Sequence, residues 1–240
     1  MIAMNKHSSS GNVMFLILIA VVLFAALSFA VSSTMRATGS NDSRDTLQLQ
    51  ATELMGFSSS VKTAIERLRV SGCSVYQISF DGPVSGQVRK SPSDMNFAYA
   101  NPLAPATGAC NVFDVRGGNV IFPFISHGIQ VPEKLVTGAH NKSNIYFFNG
   151  NNQIEDIGTT AGADLLLMAP FITKELCDFI NQKNNISGSI LASLDTNDNN
   201  PFQGVYNQWS AISGPFKGKP SGCIEQSAGN YYFYEVLISR

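Results

Sequence analysis

The sequence predicts an α+β fold: a long N-terminal helix, transmembrane and then amphipathic, packed on an antiparallel β-sheet. Three observations carry this expectation. Residues 13–31 are almost purely apolar, and no Lys, Arg, Asp or Glu occurs between Lys6 and Arg36. Apolar or small residues then recur at Leu47, Ala51, Leu54, Ser58, Val61, Ile65 and Leu68, in alternating steps of four and three that put them on one helical face. From Ser74 onward strand signals dominate, and the chain closes in the run YYFYEVLI at 231–238.

This pattern divides the chain into a leader at 1–11, a transmembrane helix at 12–33, an amphipathic extension at 34–72 and a globular domain at 73–240. Only 14% of the residues are charged and the formal net charge is −1. No basic block is long enough to follow a phosphate backbone, so nucleic acid is not an expected partner. Abundant Asn, Ser, Gly and aromatic residues suit an exported, β-rich domain with long loops.

As a helix, residues 13–31 would extend roughly 28 Å, close to the roughly 30 Å of a bilayer core. A cleaved secretory signal would use the small-x-small site Ser28-Phe29-Ala30, but this apolar run is long for one. A plain signal anchor would leave Lys6 inside and Arg36 and Arg44 outside, a small charge bias. A short polar leader, then Gly11, then an uninterrupted apolar helix also resembles the class III signal of type IV pilins and pseudopilins. That resemblance implies cleavage after Gly11 by a prepilin peptidase, with Asn12 as the new amino terminus and the apolar helix retained. Leu16 stands where the family usually carries Glu at the fifth mature position, and no Pro interrupts the helix. Both departures shift the resemblance from a major pilin to a minor pilin or pseudopilin.

Gly39, Asn41 and Asp42 predict a kink, a weakened helical segment or a short break within 34–45. The stripe from Leu47 to Leu68 follows, with Glu53, Lys62, Glu66, Arg67 and Arg69 off it, and Gly72 supplies a helix stop. Residues 75–80 alternate like a strand and Asp81-Gly82-Pro83 turns the chain, before a long loop over 89–108. Arg116-Gly117-Gly118 predicts a tight hairpin between 111–115 and 119–122. Asn149-Gly150 predicts another between 144–148 and 151–157, because both residues tolerate positive φ. Thr173 is placed to cap a helix running to about Lys183, with Leu176, Cys177, Phe179 and Ile180 on its apolar face. Residues 163–168 fit strand or helix, and 184–220 read as loop with a short strand within 205–212. In the closing strand, half of Tyr231, Tyr232, Phe233 and Tyr234 are expected to face the core and the rest a partner or another subunit, beside the plainer reading of core and sheet packing. The stretches after Cys110, around Cys177 and at the closing strand are also similar to the carboxyl regions of bacterial pilin-like proteins.

Cys73, Cys110, Cys177 and Cys223 are widely spaced and form no C-x-x-C pair, which argues against a zinc ribbon or thioredoxin-like site. Export would make two disulfides the expected state. Proximity in sequence alone favours Cys73–Cys110 and Cys177–Cys223 among the three pairings, with four buried free thiols as the other reading. His7, His127 and His140 have no metal-binding spacing, and no G-x-S-x-G elbow is present. A triad drawn from distant positions stays open. Asp195, Asn197 and Asn199 start like a calcium loop, but Asn200 replaces the sixth-position Gly and Tyr206 the twelfth-position Glu. They are candidate ligands for a structural Ca²⁺, beside the plainer reading of a solvated loop. Gly117-Gly118 reads as a turn rather than a phosphate cradle. The sequons at Asn141 and Asn185 matter only in a eukaryotic secretory route.

The resemblance implies a non-catalytic structural subunit, a minor pilin or pseudopilin, of a type IV pilus or related secretion filament. It implies a single-pass protein of the bacterial inner membrane with its C-terminal domain periplasmic or extracellular. Its expected partners are membrane lipid, other pilin or pseudopilin subunits and prepilin peptidase. Neither a catalytic residue nor a cofactor is expected beyond the calcium candidate. The alternatives are a signal-anchored periplasmic binding or adhesion module that does not polymerise, and a secreted hydrolase.

Overall fold

The computed structural model describes residues 10–81, 101–126, 128–131, 146–159, 162–193, 202–207 and 210–240. In the first helix, the side chains of residues 10–13 and 29–42 lie outside that description. The chain forms two compact units, Met1–Thr46 and Leu47–Arg240. The elements are α1 (Ser10–Val70), β1 (Phe147–Ile154), β2 (Asp164–Ile172), α2 (Lys174–Lys183), β3 (Ser210–Ile212), β4 (Ser221–Ser227) and β5 (Asn230–Ile238). A single 3₁₀ turn, Gly214–Phe216, leads into β4.

The backbone of α1 is helical through 34–45, which removes the short break among the readings of that region. Within the second unit its apolar stripe is buried as the spacing requires: Ala51, Leu54, Ser58, Val61, Ile65 and Leu68, widened by Phe57 and Ala64. Leu47 is partly buried at the edge of the same core. The helix ends in a Schellman arrangement. Gly72 takes φ +99°, its N–H donates to Arg69 O at 3.0 Å, and Cys73 N–H donates to Leu68 O at 3.0 Å.

Residues 118–126 and Gly128 lie along this part of the helix. Arg67 Nη2 donates to Gly118 O at 2.7 Å, Ser126 N to Glu53 Oε1 at 2.9 Å, and Gln50 Nε2 to Gly128 O at 3.1 Å. Between these fastenings Phe57 meets Phe122 edge-on at 5.8 Å and Tyr146 at 4.4 Å. The rings continue through Phe113, Phe80 and Phe148, the last two stacked at 3.9 Å.

The sheet has the order β3-β1-β2-β5-β4. All pairings are antiparallel except β1 with β3, which is parallel in the register Asn152↔Ser210 to Ile154↔Ile212. The central strands are covered on both faces. Every residue of β1 is buried, and all of β2 except Phe171. Tyr231, Tyr232, Phe233 and Tyr234 are all buried as well, so the expected outward-facing half of that run is corrected.

The expected fold class, a long N-terminal helix packed on an antiparallel sheet, is corrected. The sheet is mixed, because the short β3 returns parallel to β1. The helical segment that packs in the folded unit is limited to residues 47–70. The transmembrane helix at 12–33 and the single-pass inner-membrane location are corrected too: no helix among the described residues is long and apolar enough to cross a membrane. Residues 14–28, the apolar part with described side chains, would extend about 22 Å, short of a roughly 30 Å hydrocarbon core.

Three strand expectations also change. Residues 75–80 form a turn and one isolated bridge, Ser79↔Asn111, rather than a strand. Asn101 accounts for this: its Nδ2 donates to Tyr76 O at 2.7 Å and Ile78 O at 2.8 Å, taking the place of a neighbouring strand. Residues 111–122 form a compact coil instead of a hairpin, with Gly117 and Gly118 pressed against the carbonyls of Asn111 and Val112. Asn149-Gly150 lies inside β1 as a bulge, not at a hairpin tip. Asn149 Oδ1 accepts from Asn151 N at 2.7 Å, and a Cβ at Gly150 would lie 2.8 Å from both the Phe202 ring and Val205 O.

Candidate functional site

Two parts of the molecule stand out for their surface or their buried chemistry. The first is the N-terminal part of α1. Met14, Phe15, Leu16, Ile17, Leu18, Ile19, Val21, Val22, Leu23, Phe24 and Leu27 are all exposed, from 40% at Ile19 to 77% at Met14. Successive helical residues turn about 100°, so consecutive apolar side chains cover the whole circumference and leave no polar face. Covering one such side chain fully is worth about 1.5–3 kcal/mol, so this surface favours a partner that surrounds it.

The second part is a set of polar groups held inside the folded unit. Asp164 opens β2 and is fully buried. Its Oδ2 accepts from Ile154 N at 2.8 Å and its Oδ1 from Arg240 N at 3.0 Å. Burial raises its pKa, and those two N–H groups pull the other way. The Arg240 guanidinium lies over the Tyr206 ring at 4.4 Å and the Tyr76 ring at 5.4 Å, and donates to the Tyr76 hydroxyl at 3.0 Å. Glu235 is held in the middle of β5, where burial pushes its carboxyl up to about 7 against the opposing pull of Lys62 and the Ser221 hydroxyl. Asp114 behaves oppositely at the surface. Its side-chain hydrogen bonds from Arg116, at 2.9 and 2.7 Å, hold its carboxyl down at about 2. Tyr146 buries its hydroxyl with no hydrogen-bond partner among the described residues.

The cysteines pair as Cys73–Cys110 and Cys177–Cys223. The first ties the end of α1 to the coil after it. The second ties α2 to β4. Asn181, one turn along α2 from Cys177, reinforces it: its Nδ2 donates to Cys223 O and its Oδ1 accepts from Cys223 N, both at 2.8 Å. Two disulfides are compatible with a secreted or periplasmic protein.

Thr173 caps α2 as its position predicts, accepting from Leu176 N. Gly11 and Asn12 lie in the helical backbone of α1, and their side-chain surroundings are outside the described residues. Leu16 is 61% exposed. The calcium candidates Asp195, Asn197 and Asn199 lie outside the described residues, as do His7, His127 and His140. Among the described residues no group of three or more His, Cys, Asp or Glu side chains is placed to hold a metal ion. Glu235 and Asp164 were not anticipated. Their signal was present: a single carboxylate within YYFYEVLI, and another heading the apolar run DLLLMAPFI.

No family model matches the chain, and no curated protein or solved structure matches it.

Proposed function

We propose that this chain is a non-catalytic structural subunit that self-assembles through its N-terminal helix, as a minor pilin or pseudopilin does in a filament. The carrying observation is the apolar surface of residues 14–27, which extends around the whole helix. A surface of that kind is satisfied by several identical helices packed side by side, each contributing the apolar contacts the others need. The leader ending at Gly11 supports the same reading, with prepilin peptidase as the processing partner. The two disulfides support assembly outside the cytoplasm.

The test is analytical ultracentrifugation of the full chain over a concentration series, with electron microscopy of the assembled fraction. Filaments of uniform diameter are expected, and the double variant Leu18→Asp/Leu23→Asp should sediment as a monomer with an unchanged melting temperature. A full chain that stays monomeric at every concentration, or forms only amorphous aggregate, overturns the proposal in favour of a non-polymerising binding module. Mass spectrometry of the mature amino terminus adds an independent reading. A start at Asn12 supports pilin-type processing, and an intact leader counts against it.

A further inference from the structure

The two disulfides differ in their surroundings. Cys177 and Cys223 are both 0% exposed, and Asn181 occupies both backbone groups of Cys223. Cys73 is 8% exposed and Cys110 4%. Cys73 also lines an open concavity of about 470 Å³ at the end of α1, together with Glu66, Arg69, Val70, Ser74 and Val75. Val70 is 90% exposed and Val75 is partly buried, so apolar surface flanks Cys73 on both sides in sequence. The charges of Glu66 and Arg69 offset each other. The last carbonyls of α1 are also occupied: Gly72 N donates to Arg69 O, Cys73 N to Leu68 O, and the Ser71 hydroxyl to Arg67 O at 2.9 Å. The negative end of the helix is thereby blunted where an anion would approach. Steric access therefore decides which disulfide a thiolate can reach.

We propose that Cys73–Cys110 is a thiol–disulfide exchange site: a dithiol protein of the oxidoreductase class docks in this concavity and attacks Cys73, while Cys177–Cys223 stays closed. The chemistry selects the occupant, because a disulfide sulfur is an electrophile toward thiolates, and the apolar flanks give a protruding cysteine loop a surface to rest on. The attacking thiolate bonds to Cys73 Sγ. The Cys73–Cys110 bond breaks, and its electron pair leaves on Cys110 Sγ, which takes up a proton. The second thiol of the partner then attacks the mixed disulfide and releases Cys73. The partner ends as a disulfide, and the two cysteines end as thiols carrying the two protons the partner gave up. Reduction removes the covalent tie at the end of α1, with the Arg67–Gly118 hydrogen bond and the Ser79↔Asn111 bridge still in place. This exchange is independent of the assembly through residues 14–27.

The full oxidised chain is treated with dithiothreitol at pH 8, quenched in acid and alkylated, and the labelled cysteines are located by peptide mass spectrometry. Cys73 and Cys110 should be labelled about tenfold or more faster than Cys177 and Cys223, at a rate unchanged by sub-denaturing urea. A second arm uses a thioredoxin-like protein whose second active-site cysteine is replaced by Ser, which traps the mixed disulfide. That bond should form on Cys73. Equal labelling of the two pairs, faster labelling of Cys177 and Cys223, or acceleration by urea overturns the proposal, because each marks reduction through an unfolded chain or at the other bond. A trapped bond on Cys110, or no trapped complex, overturns it as well.

Discussion

Residues 14–28 and 47–70 both belong to α1, yet every described side chain in the first stretch is exposed while the second buries a continuous stripe from Ala51 to Leu68. The difference lies in pattern more than in apolar content. The second stretch alternates apolar and polar residues at helical spacing, so one face can turn inward while Glu66, Arg67 and Arg69 stay in water. The first has no polar face, so no single docking direction satisfies it. One part of the helix is thus addressed to its own domain, and the other presents apolar side chains on every side with no single face to dock.

The sharpest way to break this comparison is the same substitution in each stretch. Leu54→Asp places a charge at a fully buried position and should cost more than about 4 kcal/mol, enough to unfold the Leu47–Arg240 unit in a thermal melt. Leu18→Asp should shift the melting of that unit by no more than about 0.5 kcal/mol, its effect appearing in self-association instead. Equal destabilisation by both would erase the distinction. A smaller effect is expected where the packed stretch meets its covalent tie. Replacing Cys73 and Cys110 together by Ala opens a 37-residue link and should cost about 3–4 kcal/mol in denaturant unfolding. Gly72→Ala comes next. A Cβ there meets no atom within 4 Å, so the cost should be only the left-handed backbone conformation, about 1 kcal/mol.

The smallest effect concerns the coil beside the packed stretch. In an NMR titration, Asp114 should lose its charge at about pH 2, and Arg116→Gln should return that midpoint toward an ordinary carboxylate. Because the pKa is lowered, the folded state favours the charged form, and that preference disappears as the pH falls through about 2. Both side chains are at the surface, so the melting temperature should move little.

The packed stripe was legible because its information is local: period, face and the terminating Gly72 all lie within one stretch of sequence. The same holds for the Thr173 cap and the closing strand. Cys73–Cys110 and Cys177–Cys223 followed from proximity, which happens to be how the chain connects them. The failures share another cause. Residues 75–80 alternate as a strand should, but Asn101, 23 residues beyond Ile78, takes the carbonyls a neighbouring strand would have used. Asn149-Gly150 has the chemistry of a turn and of a bulge alike. The choice is made by Phe202 and Val205 pressing on Gly150 from more than fifty residues away. Within the candidate sites, the apolar surface of residues 14–27 was legible from the absence of charge. The buried position of Glu235 was not, since the residues that enclose it come from α1, β2 and β4.

The carboxamide of Asn181 has one more consequence. By pairing with both backbone groups of Cys223, it holds α2 against β4 independently of the covalent bond, one helical turn from Cys177. The amide hydrogen bonds involve no thiol chemistry, so they do not depend on the redox state of the two sulfurs. Loss of the disulfide by reduction would therefore leave α2 and β4 still joined by these two hydrogen bonds.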